Sequence, residues 1–172
     1  MPGNVERVLA ALNATQVRYL IVGGVAVVLH GHLRTTADLD LIVDLETSNI
    51  TRAITTLTEL GFHPRAPVAA AGLADAAIRQ DWIANKGMTV FSLWNQQMPG
   101  FEVDIFAESP LDFEAASARA IRASLDTTHA DVVALEDLIA LTRAAGRPQD
   151  LEDVAALEAL RDVGDDDEAH RG

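Results

Sequence analysis

VGGVAVVLHGHLRTTADLDLIV, residues 22–43, is the stretch on which the fold turns. It is preceded by the apolar run Tyr19 to Val22, which reads as a buried strand ended by a tight turn at Gly23-Gly24. Val25 to His30 holds too few polar residues for a surface helix, but behind a glycine turn it fits a buried one that Gly31 can end. A loop from His32 to Ala37 leads into Leu39 to Val43, where Asp38, Asp40 and Ile42 alternate with apolar residues at the period of a strand. Residues two apart on a strand share a face, so Asp38 and Asp40 project together while Leu39 and Leu41 point into the core. Two like charges facing one way repel each other unless solvent or cations neutralise them. Mg²⁺, a hard cation that takes oxygen ligands, suits that task. The glycine pair between strand and helix lets phosphate approach backbone N–H groups at a helix start, where the dipole also favours an anion.

Working outward, Val5, Val8, Leu9 and Leu12 recur at helical spacing and predict an amphipathic first helix over 4–14. A helix is expected over 47–60, stopped by Gly61, then a loop over 64–72 and a helix over 73–85. Met88 to Trp94 and Phe101 to Phe106 are strand-like and flank Pro99-Gly100, which predicts an antiparallel hairpin. Asp112 can cap a helix running to Ala123, and a short strand is expected near 131–134. Leu135 to Ala145 and Asp150 to Leu160 form a closing helix pair separated by Gly146-Arg147-Pro148. The expected architecture is α/β, a small mixed sheet flanked by helices with a C-terminal helix pair. One domain is expected over 1–161, followed by a solvated, disordered acidic tail over 162–172 that contains Asp165, Asp166, Asp167 and Glu168.

Composition removes several alternatives. With 172 residues, of which 49% are hydrophobic, the chain has material for one sizeable core. It has no cysteine, which excludes disulfides, thiolate zinc sites and a cysteine nucleophile. No run approaches the roughly 18 apolar residues of a membrane span, and no secretory signal pattern opens the chain, so a soluble, cytoplasmic protein is expected. The net charge of -13, from 13 Lys plus Arg against 26 Asp plus Glu, opposes nucleic-acid binding by an extended basic surface and suits binding of divalent cations.

A third carboxylate, Asp104, lies in the alternating run Phe101-Glu102-Val103-Asp104-Ile105-Phe106, on a strand that can neighbour the first. Three carboxylates on adjacent strands are what two-metal phosphoryl transfer requires: two shared ligands, and a third that completes one metal and takes the proton of the attacking group. Arg34, in the loop before the first two aspartates, reads equally as a cation for a phosphoryl group or as a salt-bridge partner of a carboxylate such as Asp44. Lys86, the sole lysine, can reach a phosphate or lie solvated in a turn. Asp150 is expected to cap the last helix. His30 and His32 have no third histidine nearby to complete a metal site, and Trp82 and Trp94 read more readily as core than as stacking platforms for a base.

The string at 22–43 resembles the signature of the polymerase-beta-like nucleotidyltransferase superfamily: a hydrophobic strand, Gly-Gly, a helix, then D-x-D among apolar residues. The spacing of Arg34, Thr36, Asp38 and Asp40 is similar to the branch containing AbiE-type toxins and related bacterial nucleotidyltransferases. MTVFSLW at 88–94, FEVDIF at 101–106 and LEDLIALTRAAGRPQDLEDVAALEAL at 135–160 extend the resemblance over most of the chain. It implies that Asp38, Asp40 and Asp104 hold Mg²⁺ or Mn²⁺, and that Gly23 and Gly24 contact a nucleoside triphosphate such as ATP. Arg34, Thr36, Lys86 and Arg143 would assist on the nucleotide. The activity implied is transfer of a nucleoside monophosphate to an acceptor hydroxyl on an RNA end, a protein or a small molecule, within a toxin–antitoxin system that supplies a cognate antitoxin as partner. The chain departs from the pattern at Thr142 and Gln149, where the family often has basic residues; Arg143 or Arg147 would have to substitute. The alternative is a degenerate, non-catalytic binding or antitoxin-like module. Haloacid-dehalogenase-type phosphatases also use D-x-D, but after a hydrophobic strand, the reverse of the order here. Sugar-transferring D-x-D enzymes need a larger nucleotide-sugar domain.

Overall fold

Apolar spacing places the first elements where expected. The computed structural model describes residues 3–169. In α1 (Asn4–Ala14) the stripe Val8, Leu9 and Leu12 is buried. All four residues of β1 (Tyr19–Val22) are buried, and α2 (Gly23–Leu29) starts directly behind them. β2 (Asp38–Val43) then returns antiparallel to β1, with Val22 opposite Asp40 and Tyr19 opposite Val43. α3 (Thr47–Glu59) stops before Gly61, whose φ of 93° suits a residue without a side chain.

β4 (Val90–Asn95) and β5 (Glu102–Phe106) form the expected antiparallel hairpin. β5 lies parallel to β2. β7 (His129–Val132) runs parallel to β1 on its other side. With β3 (Phe62–Pro64) and β6 (Ile121–Ser124) the sheet has seven strands in the order β3-β4-β5-β2-β1-β7-β6. Both edge strands depart from the sequence expectation. β3 is three residues long and contains a proline, which an edge strand tolerates. β6 occupies what reads as the end of a helix, because α5 (Phe113–Arg119), capped as expected by Asp112, breaks before Ile121. Its residues are mostly exposed and carry little apolar periodicity. They are held by pairing with β7 and by a two-pronged cross-strand ion pair between Arg122 and Asp131.

Between these elements a short 3₁₀ turn (Ala70–Ala74) precedes α4 (Ala76–Lys86), and the closing pair is α6 (Leu135–Ala145) and α7 (Pro148–Ala169). Gly146 ends α6 in the left-handed region at φ 67°, and Pro148 opens α7, where a missing N–H is harmless. α7 continues past Leu160, so residues 162–169 of the expected tail are helical and exposed, while 170–172 lie outside the described residues. Strong helix formers over 155–162 and the absence of any following proline allow the helix to run on. Among the described residues no helix is long and apolar enough to cross a membrane.

The middle of the sheet is arranged so that one face of β2, β5 and β4 is sealed. Leu39, Leu41, Val103, Ile105, Phe91 and Leu93 on that face are each at most 1% exposed. Across the sheet, Asp38, Asp40, Glu102, Asp104 and Ser92 remain partly open. Asn49, 1% exposed, fastens the approach to this sheet: its side chain accepts from Arg18 N at 2.8 Å and donates to Arg18 O and Asp44 O at 3.1 and 2.8 Å. Asn49→Ala would leave these backbone groups without partners in a dry site. We predict a loss of about 2–4 kcal/mol in urea unfolding with far-UV circular dichroism unchanged.

Candidate active site

Strand pairing alone brings the first two carboxylates together. Asp40 and Asp104 are register partners on parallel neighbours, about 4.8 Å apart in the hydrogen-bonding direction, and Asp38 stands opposite Glu102 two residues earlier. The three aspartates therefore share one face and line one cleft of about 530 Å³. Burial pushes the Asp40 carboxyl up to about 6, with the charges of Asp104 and then Asp38 adding to it and Arg147 and Arg34 opposing. Burial likewise raises Asp104; a hydrogen bond from the Ser92 hydroxyl opposes this, and the charges of Asp38 and Glu102 reinforce it. Oδ1 of Asp104 is buried with no hydrogen-bond partner. Among the described residues there is no group of three or more His, Asp or Glu side chains gathered as a metal-holding cage. The aspartates nevertheless fit a divalent cation: the set is all oxygen, mutually repelling, and includes a buried oxygen that no protein donor satisfies.

The glycine turn has a second role beyond admitting phosphate. Gly23 has φ +64°, and a Cβ on it would lie 2.2 Å from Asp40 Oδ2. A Cβ on Gly24 would lie 2.6 Å from Thr36 Oγ1 and 3.3 Å from Arg34 Cζ. The absence of both side chains is thus what lets Asp40, Thr36 and Arg34 close on the turn. Thr36 Oγ1 donates to Asp38 O at 3.2 Å and so braces the start of the aspartate strand.

The opposite wall comes from the α6–α7 junction. Arg34, 18% exposed at its side chain, forms its ion pair with Asp153 of α7, whose side chain is 3% exposed. Asp44, the partner considered from sequence, is instead taken by Arg18 at 2.5 Å. Arg147 donates through Nε to Asp150 Oδ2 at 2.8 Å. Asp150 also accepts from Arg147 N at 3.0 Å; α7 starts two residues earlier than expected, so Asp150 reaches back from its third position to the helix start rather than standing at the cap itself. Arg147 lines the cleft, whereas two residues expected at the nucleotide do not. Lys86 is exposed in the last turn of α4, and Arg143 is paired with Glu158. Their basic character suggested phosphate, but α4 and the outer face of α6 direct them elsewhere. Thr142 lines the cleft with its hydroxyl donating to Leu138 O at 2.6 Å, and Gln149 lies beside it, exposed. His30 Nε2 bonds Val133 O at 2.8 Å. Trp82 stacks on Phe91 in the core, and Trp94 stands near His63 and Arg65, outside the cleft. Sequence reading did not assign Asp153 to the site; its signal was a carboxylate one helical turn beyond Asp150, on the face that α7 buries.

Solved structures resemble this fold over about nine-tenths of the chain. The lincomycin-bound lincosamide antibiotic adenylyltransferase LnuA gives a TM-score of 0.62 at 14% identity, covering 91% of this chain and 95% of its own. ANT(2'')-Ia in complex with adenylyl-2''-tobramycin gives 0.56 at 14% identity over 92% and 93%. An antigenic nucleotidyltransferase-like protein from Paracoccidioides brasiliensis gives 0.56 at 16% identity over 89% and 73%. The chain has the nucleotidyltransferase fold. At these identities the likeness is one of fold. No protein-family model matches the sequence, and comparison with curated proteins gave no match.

Two outcomes follow from the nucleotidyltransferase-fold site. Asp40 has a folded-state pKa above the ordinary carboxylate value, so its ionisation opposes folding. The penalty grows as pH rises from about 4 to about 6 and is complete above that. Asp40→Asn should therefore stabilise the protein in EDTA by about 1–3 kcal/mol at pH 7.5 and by nearly nothing at pH 4, read by urea unfolding. An equal gain at both pH values would contradict the raised pKa of Asp40. Gly23→Ala should do the reverse at neutral pH, losing about 1–3 kcal/mol, because it combines a left-handed backbone with a collision against Asp40.

Proposed function

We propose that the protein is a metal-dependent nucleotidyltransferase, moving a nucleoside monophosphate from a nucleoside triphosphate to an acceptor hydroxyl. The observation that carries this reading is the register of Asp40 with Asp104, with Asp38 on the same face, at the Gly23-Gly24 turn of a nucleotidyltransferase fold. Asp38, Asp40 and Asp104 would hold Mg²⁺ or Mn²⁺, which when bound supplies positive charge against the triphosphate and relieves the repulsion among the carboxylates. Gly23 and Gly24 keep that end of the cleft open to phosphate, and Arg34, Thr36 and Arg147 border it. Asp104 accepts the proton of the acceptor hydroxyl as its oxygen bonds the α-phosphorus; the bond from that phosphorus to the bridging oxygen breaks, and pyrophosphate leaves.

For the acceptor, the reading is a small hydroxylated molecule. A basic groove for RNA would need Arg34, Arg79, Lys86, Arg143 and Arg147 together. Arg79 is instead 6% exposed in the 3₁₀–α4 region, Lys86 and Arg143 lie off the cleft, and only Arg34 and Arg147 border it. The LnuA and ANT(2'')-Ia complexes, named for an antibiotic and an adenylylated antibiotic, support a small acceptor in this fold. A second reading rests on the segments RTTADLD and GRPQDLED, which resemble AbiE-type toxins apart from Gln149 and both border the cleft. In it the acceptor is an RNA end or a protein hydroxyl in the cytoplasm, and the partner is a cognate antitoxin. A non-catalytic module is the third, favoured by the commitment of the Thr142 hydroxyl to a backbone carbonyl.

Thermal shift with Mg²⁺ and each of the four nucleoside triphosphates separates catalysis from a non-catalytic module. The expected result is stabilisation that needs metal and triphosphate together. Incubation with labelled nucleotide and cell extract then identifies the acceptor: label in the small-molecule fraction supports the first reading, and label on RNA or protein overturns it in favour of the second.

A further inference from the structure

The α6–α7 junction holds two charged residues that the proposed chemistry does not use. Asp153 is 2% and Asp150 5% exposed, three residues apart on α7. Each faces one arginine of the cleft: Arg34 from the loop before the aspartate strand, and Arg147 from the residue before α7. A buried carboxylate is retained only when paired, and these two are paired with the two cations that border the cleft. The arginines differ in exposure. Arg34 is 18% exposed and sits over Gly24, whereas Arg147 is 78% exposed and leans on Asp150 through Nε and Nη2. A guanidinium presents donors along more than one edge, so a carboxylate behind it can fix its plane while another edge stays available to a phosphate.

We propose that Asp153 and Asp150 are positioning residues that hold Arg34 and Arg147 as a two-arginine clamp for the triphosphate of the nucleotide. The inference rests on the proposed nucleotidyltransferase reading and deepens it. The two arginines line the same cleft as Asp38, Asp40 and Asp104, to which Thr142 and Gln149 bring no basic side chain. Arg34 is reached from the chain segment that also carries the aspartates, and α7 anchors it from the far side. Docking of α7 against this loop therefore sets the distance between metal-binding and phosphate-binding halves. The acidic balance of the site makes such anchoring necessary, since a mobile guanidinium here would pair with the nearest of five aspartates.

The sign of one measurement decides the matter. Removing a negative charge beside an anion site by electrostatics alone tightens anion binding. Loss of a positioning residue weakens it. Each of ATP, GTP, CTP and UTP is titrated calorimetrically with Mg²⁺ into the full chain and its variants. Asp153→Asn is expected to weaken the nucleotide that binds the wild type by about tenfold, and Arg34→Ala by at least that much. In the double variant the loss should stay within about twofold of Arg34→Ala alone, because both substitutions remove one device. Unchanged or tighter binding by Asp153→Asn, or losses that multiply, overturns the proposal; a lowered melting temperature with unchanged affinity identifies Asp153 as structural only. If Asp153→Asn does not fold, Arg34→Lys carries the test. It keeps the buried charge paired but cannot grip carboxylate and phosphate along separate edges, so it too should lose about tenfold, and wild-type affinity contradicts the clamp. Failure of the wild type to bind any of the four overturns both the clamp and the nucleotidyltransferase reading. Wild-type binding with an indifferent Asp153 overturns the clamp alone.

Discussion

The burial of Asp40 beside Asp104, made costlier by the neighbouring charge, is the constraint around which the cleft is organised. Two parallel strands in register set these carboxylates side by side, and the sealed face beneath them, built from Leu39, Leu41, Val103 and Ile105, prevents either strand from rotating its charge away. A one-residue slip of β2 would bury both aspartates of its D-x-D and expose its leucines, so the core that stabilises the domain also enforces the electrostatic strain at its surface. The strain is local and tolerable because the cleft remains open to solvent and because Arg34 and Arg147 stand nearby, lowering the cost of the Asp40 charge.

From that constraint the remaining parts of the cleft follow. Asp40 has room only because Gly23 has no side chain, and Thr36 and Arg34 close on the turn only because Gly24 has none. The loop between α2 and β2 therefore packs over a backbone rather than over side chains, and its arginine must be held by something farther away. That anchor is α7, introduced by a glycine that ends α6 and a proline that starts the next helix. Stability and site geometry are coupled through the same few contacts: Asp150, which reaches back to the start of α7, is also an arginine anchor, and the ion pair at Asp153 also docks the C-terminal helix.

Much of this was legible in the sequence because the informative segments obey simple periods. The alternation in Asp38 to Val43 and in Phe101 to Phe106 fixed which side chains share a face, and Gly23-Gly24 and Gly146-Arg147-Pro148 marked turns whose chemistry admits few alternatives. What escaped lacks a local signal. β6 is an exposed edge strand stabilised by its neighbour, and its four residues read as the end of a helix. The continuation of α7 through Asp165 to Glu168 depends on helix propagation from packed turns upstream, which a run of like charges conceals. Lys86 and Arg143 carry the charge a phosphate needs, but charge does not determine direction; their helices point them away from the cleft. The pairing of Arg34 with Asp153 joins residues far apart in the chain, and only the packing of α7 against the cleft brings them into contact.

The most direct test of this account is the ionisation of Asp40 itself, followed by carboxyl-carbon NMR in protein labelled at aspartate, with Asp40→Asn used for assignment. Without metal, Asp40 should titrate at about 6, well above an ordinary aspartate, and saturating Mg²⁺ should bring its midpoint below about 4 as the cation replaces the proton. A midpoint near 4 without metal, or one near 6 that Mg²⁺ leaves in place, would contradict the claim that burial and the neighbouring carboxylates hold Asp40 above its ordinary range for a divalent cation to relieve.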